Sequence, residues 1–495
     1  MDTKATLTPS RRRFLGYLGV GAAGLGLAAC GAAPAKSTSA VPGHSSSSDL
    51  PDWLKSKAKG LTGKTLNVIG SEQYFQTTNN DFVNACKTFG QITGNTVNAT
   101  VLNIDTGNIV SREDAAVKAG NPPDCAFIDP SRFAAQFYQL GDIQPVNQAM
   151  SEMISHYGDP VDVNKIYLTL GPNKDWYGIP YFSLINGWFA RKDWLDQKGI
   201  KASEFAPGKI DLNKLRDMAL EISDPSQQRY GWGITFNNSG DGTGAIEWVL
   251  NTYGSGLNDD SGTKVIFGAG KYAEPTEEAV SWLVDTYSSP KYSKMLPPGV
   301  LGWTDTGNNE AWLAGTVGFT ENAYSLYAQS KASGNPVYHE TLLFNGPIGP
   351  AMKAPPLVGS SEAFVIFKGA KEPELATILA QYLAYGEPLL QMVKQSVGLV
   401  LPAYENIWNS NPFYLNGDPA FKSQHAQLDI PLPIATTTGL HFPQTANAGS
   451  DAVGADYILN DMLGSIVNKK ATMKQAIATA RQRMITTYEE NGLPQ

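Results

Sequence analysis

The sequence predicts an α/β protein of two domains, each a mixed, mainly parallel sheet covered by helices. Three observations point there. Short apolar strands alternate with helical periodicities from about residue 65 onward, the pattern of crossover-connected parallel strands. The chain is 495 residues long, and the portion beyond its N-terminal export segment still exceeds the roughly 250–300 residues that one core organises. Its 10 tryptophans and 21 tyrosines suit large cores or an aromatic-lined cleft.

The elements run in order along the chain. Thr65-Leu66-Asn67-Val68-Ile69-Gly70 reads as the first strand. A helix through 82–89 carries the apolar stripe Phe82, Ala85, Cys86, Phe89, and Thr93-Gly94-Asn95 is a turn into a second strand at 96–102. A helix over 112–119 precedes a strand at 125–128. The next helix starts at Asp129-Pro130, with aspartate as cap and proline at the first helical position. Strands are expected at 176–181 and 186–191, the second running into a helix at Asp193. Apolar residues at 375, 378, 379, 382 and 383 mark a later helix, and Thr472-Met473-Lys474-Gln475 has capping-box spacing for the last one.

Residues 1–29 read as an export signal: a basic patch, a weakly apolar core and small residues before the cut. Arg11-Arg12-Arg13-Phe14-Leu15-Gly16 resembles a twin-arginine signal, and Leu27-Ala28-Ala29-Cys30 resembles the bacterial lipoprotein box. The mature chain is then expected to begin at a lipidated Cys30, on the outer face of the bacterial cytoplasmic membrane. Residues 30–60 are expected to be a flexible linker rich in Ala, Ser, Thr, Pro and Gly.

Asp2, Lys4 and three arginines leave with the signal, a net +3, so the formal charge moves from −8 to −11. An acidic exported chain excludes nucleic acid as partner, since phosphate binding needs basic surface. After the signal no apolar run approaches the ~20 residues that span a bilayer. The five histidines fall in no metal-ligand spacing. Cys86 and Cys125 read as two buried thiols, a disulfide between them being the alternative that the compartment permits.

Several segments, in order, carry a family resemblance. They are Pro123-Asp124-Cys125-Ala126-Phe127 with Ser131-Arg132-Phe133, Trp176-Tyr177-Gly178-Ile179-Pro180-Tyr181, and Gly187-Trp188-Phe189-Ala190-Arg191-Lys192-Asp193-Trp194. Ala311-Trp312-Leu313-Ala314-Gly315-Thr316-Val317-Gly318-Phe319, Gly359-Ser360-Ser361-Glu362-Ala363-Phe364 and Gly398-Leu399-Val400-Leu401-Pro402 continue the series. Together they resemble the extracellular solute-binding proteins of ATP-binding-cassette importers, in the maltose- and sugar-binding group, over roughly residues 61–490. The resemblance implies a two-lobed, periplasmic-binding-protein-like fold with hinge crossovers. Lobe 1 would be 61–182 plus 350–408, and lobe 2 would be 183–349 plus 409–495. It implies a monomeric binder that closes on a carbohydrate and passes it to membrane permease subunits, with no cofactor and no catalysis.

Ligands of open α/β sheets sit beyond the carboxyl ends of strands. Glu72, Gln73 and Tyr74 come after the first strand and offer polar pairs and an aromatic face to a polyol. By resemblance Ser131 and Arg132 face sugar hydroxyls with Asp129 adjacent, although serine stands where the family often has an acid. Glu321 and Tyr324 come after the strand at 316–320, and the resemblance makes Tyr324 the ring that stacks on sugar. Trp303 with Asp305 are further candidates, Tyr181 is a hinge or floor residue, and Asn237, Asn238 and Asp241 are placed on the second wall. Trp248 and Trp282 read as core. An exported hydrolase is the alternative function, lacking a Gly-x-Ser-x-Gly elbow or a His-Glu-x-x-His run; a two-lobed binder of a non-sugar solute is another.

Overall fold

The computed structural model describes residues 50–103, 109–352, 357–409, 411, 413–414, 418–428, 434–435 and 444–495. The export signal and Cys30 lie outside the described residues. Strands β1 (Thr65–Ser71), β2 (Thr96–Leu102) and β3 (Cys125–Ile128) run parallel, in the order β2-β1-β3. β4 (Thr169–Leu170) and β5 (Asp175–Trp176) form a small hairpin ahead of β6 (Ile179–Ile185). β7 (Gly187–Arg191), β8 (Tyr230–Trp232), β9 (Val317–Asn322) and β10 (Thr341–Phe344) make a second sheet, ordered β10-β7-β9-β8. β11 (Leu357–Ile366), β12 (Leu401–Pro402) and β13 (Ile434–Ala435) then return to the first, which reads β12-β6-β11-β3-β1-β2 with β13 also on β11.

Two sheets joined by strands that pass from one to the other give the two lobes. The expectation of mainly parallel strands holds for the β2-β1-β3 end and for the pairs β8–β9 and β11–β13. β11 pairs antiparallel with β3 and β6, β6 antiparallel with β12, and β7 antiparallel with β9 and β10. These pairings result from the crossing strands, which enter each sheet from the opposite lobe. β6 stays paired through Ile185 and β7 starts at Gly187, so the switch falls at Asn186 rather than after residue 182.

The local punctuation is as the sequence dictates. Helix Gln76–Thr93 stops at Gly94, whose φ of 70° is the left-handed conformation that glycine adopts at little cost. Asp129 caps helix Pro130–Leu140 by accepting from Ser131 N. Thr472 and Gln475 close a capping box on helix Met473–Glu490. Cys86 and Cys125 are buried free thiols, and Trp248 and Trp282 are core.

The linker expectation needs correction from residue 50 on. Asp52–Ala58 is a helix whose Leu54 and Ala58, with Leu50 before it, are buried against helix Pro373–Leu383. Its Lys57 ammonium reaches Glu152 at 2.6 Å and Gln381 Oε1 at 3.2 Å. Helical spacing of Leu50, Leu54 and Ala58 outweighs the small-residue composition around it.

The second sheet is covered on both faces. Neighbouring residues of a strand point to opposite sides, so Trp188 packs with Trp232 and Trp248 while Phe189 packs with Trp312 and Tyr324. Helix Ala448–Ala455 lies against both helix Pro130–Leu140 of the first lobe and helix Met473–Glu490.

Candidate functional site

The loops after β1 and β3 meet the loops and helix starts of the second lobe. After β1, Glu72 is exposed and its N–H donates to Leu102 O at 2.8 Å. Gln73 is turned into its own loop, its N–H donating to Asn79 Oδ1 at 2.7 Å and its amide to Ser71 O at 3.3 Å. Tyr74 is 48% exposed. Its hydroxyl donates to Gln329 Oε1 at 2.5 Å and accepts from Asn309 Nδ2 at 3.3 Å. Those partners sit on helices Ser325–Ala332 and Gly307–Leu313 of the other lobe, so Tyr74 joins the two.

From Asn309 a polar network runs inward. Asn309 Oδ1 accepts from Asn322 Nδ2 at 2.6 Å, and Asn309 Nδ2 donates to Ser325 Oγ at 3.3 Å. Asp241 Oδ2 accepts from Asn308 at 2.8 Å and from Asn322 at 3.1 Å. The Asp241 N–H donates to Asp305 Oδ1 at 2.9 Å, at the start of helix Gly240–Thr252. Glu321 Oε1 accepts from Asn186, the crossover residue, at 2.8 Å. Burial, reinforced by the Asp305 carboxylate, pushes the Asp241 carboxyl up to about 7. Burial, reinforced by Asp241, pushes Glu321 up to about 8.

The β3 loop makes a second meeting point. Asp129 Oδ1 accepts from Ser131 N at 2.9 Å and Ser131 Oγ at 2.5 Å, and Arg132 is exposed with its guanidinium 5.0 Å from the Phe133 ring. Asp451, 4% exposed, faces this corner from helix Ala448–Ala455. Burial raises its carboxyl well above the carboxylate range, and Asp129 adds to the rise.

Two expected contacts are corrected. Tyr324 is fully buried: its ring packs on Phe189 at 5.4 Å and over Gly187, and its hydroxyl donates to Ser423 Oγ at 2.7 Å. It seals the second sheet because the chain turns inward to start helix Ser325–Ala332. Tyr181 is also core, set among Phe127, Phe182 and Phe364 in a strand covered on both faces. Trp303 is half-buried, its ring against Gly307, with Asp305 exposed beyond it. Asn237 spends its carbonyl on Asn460 and its N–H on Thr235, and Asn238 donates to Asp461 at 3.2 Å.

Asn186, Asn308, Asn309, Gln329 and Asp451 were not anticipated. Asn308-Asn309 stands in the first turn of helix Gly307–Leu313, one residue before Ala311-Trp312, so a search of helix starts as well as strand ends reaches it. Asp451 gives no local signal, because its surroundings come from helix packing. Among the described residues no group of three or more His, Cys, Asp or Glu is placed to hold a metal ion, and no helix is long and apolar enough to cross a membrane.

A family model for bacterial extracellular solute-binding proteins matches residues 84–414. The chain belongs to that family. No curated protein sequence matches it; solved structures do. A solute-binding protein from Thermotoga lettingae bound with α-D-tagatose is 18% identical, over 86% of this chain and 100% of that one, with a TM-score of 0.64. Maltose-bound MalE3 of T. maritima is 15% identical over 85% and 99%, at 0.65. The GacH receptor of Streptomyces glaucescens, solved unliganded and with acarbose, is 14% identical over 86% and 98%, at 0.63. At these identities the likeness is one of fold, that of two α/β lobes.

Proposed function

We infer that this protein is the substrate-binding lipoprotein of an ATP-binding-cassette importer. It captures a carbohydrate, an oligosaccharide in the first instance, between its lobes and delivers it unaltered to the membrane permease. The observation that carries this reading is Tyr74 of one lobe bonded to Asn309 and Gln329 of the other. A ligand entering there meets donors and acceptors from both walls, so it favours the closed arrangement through its contacts. Side-chain amides offer a donor and an acceptor each, matching hydroxyl groups that do both. The sugars named with the fold neighbours agree with this choice.

The first lobe holds β1–β6 and β11–β13 with helix Asp52–Ala58, the second holds β7–β10, and the chain passes from one to the other at Asn186. Asn186 is the pivot. Cys30 carries the lipid that holds a monomer at the membrane, and export uses the twin-arginine signal. No cofactor takes part.

A thermal-shift screen against mono- and oligosaccharides tests the reading, since a ligand at a hundred times its Kd adds about 2.7 kcal/mol. At least one carbohydrate is expected to raise Tm and to be recovered chemically intact. A screen with no shift, or recovery of cleaved sugar, contradicts it.

A further inference from the structure

Helix Gly240–Thr252 begins at the interlobe network with Asp241 and ends elsewhere. Asn251 comes ten residues after Asp241, about 15 Å further along the axis. Past it, the glycine-rich turn and the chain up to Tyr272 border a cavity of about 610 Å³, within the ~300–1,000 Å³ of small-molecule sites. None of its described lining residues belongs to the Tyr74 or Asp129 corners. Asn251 stands in its wall, 4% exposed, and neither carboxamide atom has a hydrogen-bond partner among the described residues. Such a group is costly and uncommon in a fold. No bond holds its rotamer, and its terminal torsion is soft, so it can turn oxygen or nitrogen to the cavity. Ser255 and Asn258 are buried in the same wall, Ser255 Oγ lying 2.7 Å from Thr276 Oγ1 and Asn258 Oδ1 accepting from Tyr488. Tyr272 and Ile266, half-buried, add an aromatic and an aliphatic surface. A Cβ added at Gly256 would meet nothing nearer than Ile266 Cδ1 at 3.7 Å, so the space beside that backbone is open.

We propose that this cavity is a second solute site, built within the second lobe, for an uncharged, hydroxyl-rich molecule of mono- or disaccharide size. It lies apart from the interlobe site and does not depend on what that site binds. The buried wall is neutral: two carboxamides and a hydroxyl, which both donate and accept. Hydroxyls on adjacent carbons do the same, and two of them match the side-by-side oxygen and nitrogen of Asn251. Among the described lining residues there is no lysine, arginine or histidine to hold an anion. The nearby charges, Asp260 and Lys271, are exposed and opposite in sign, the Lys271 ammonium lying 4.9 Å from the Tyr272 ring centre. Ile266 and the Tyr272 ring suit the C–H face of a sugar ring. One bridging water satisfies an amide in a space of ~30 Å³, and this cavity is many times larger.

Calorimetric titration of the full chain with D-glucose, maltose and myo-inositol tests this in the wild type, Tyr74→Ala, Asn251→Leu and Gly256→Leu. At least one probe is expected to give a binding step that survives Tyr74→Ala and weakens at least about tenfold in a cavity variant. The same probe should slow hydrogen exchange at residues 251–258. Leucine keeps the shape of Asn251 without its unpartnered atoms, so that variant is expected to melt no lower than the wild type. Gly256→Leu fills the open space instead, so either variant, once folded, decides the matter. A step that disappears in Tyr74→Ala, or that is unchanged in both cavity variants, overturns the second site and leaves the carbohydrate reading of the interlobe site standing. No step with any of the three probes overturns the second site as well. A step that survives Tyr74→Ala while the interlobe site takes no carbohydrate upholds the second site and removes the other reading.

Discussion

Asp241 and Glu321 are carboxyls that the fold withdraws from water and sets close together. Their ordinary values of 3.8 and 4.5 become about 7 and about 8. The folded state therefore holds protons that the unfolded chain has released. The stability these groups contribute is complete below about pH 4 and is lost as pH rises through 7 and 8. Asp305, Asn308 and Asn322 face Asp241, and Asn186 faces Glu321. Tm is expected to fall from about pH 5 to about pH 8.5, and Asp241→Asn with Glu321→Gln should flatten the fall. Glu247 and Asp451, also pushed up by burial, leave a residual slope. A Tm that rises across that range contradicts the assignment. The sequence set Asp241 and Glu321 in loops after strands, whereas Asp241 lies in the first turn of helix Gly240–Thr252 and Glu321 within β9. It misjudged Tyr324 because position after a strand does not say whether a ring turns into solvent or into the sheet.

Elements were legible wherever a local rule decides them. Gly94, Asp129-Pro130 and Thr472 with Gln475 act within a few residues of themselves, and each stands where capping chemistry puts it. Helix Asp52–Ala58 was hidden, since seven residues make too short a pattern to stand out from the small polar run before them. Its packing partners lie far along the chain, on helix Pro373–Leu383 and on helix Asn147–Tyr157, where Trp53 stacks on His156 and Lys57 pairs with Glu152. Leu54 is fully buried there, so Leu54→Ala is expected to cost about 2–5 kcal/mol, unless the helix undocks first and caps the loss. Thermal melting with limited proteolysis around residues 59–64 checks this. Unchanged Tm and unchanged cleavage mean that the helix is a passenger rather than part of the lobe.

At the scale of the whole molecule, the two-lobed plan was legible from length, strand–helix alternation and an ordered set of weak motifs. The antiparallel pairings were not, because they depend on which strands cross between lobes, a property of topology and not of any one segment. Asn186 sits where that topology is most exposed to change. It separates β6 from β7 by a single residue and is tied to Glu321 on β9. In the proposed opening, the chain bends at Asn186 and Tyr74 leaves Asn309 and Gln329. The central claim is that one solute is gripped by residues of both lobes at this place. Calorimetric titration of the wild type, Tyr74→Ala and Asp241→Asn with the same carbohydrate tests it most directly. Each substitution is expected to weaken binding at least about tenfold, or ~1.4 kcal/mol, with the fold intact; wild-type affinity in both variants would contradict the claim.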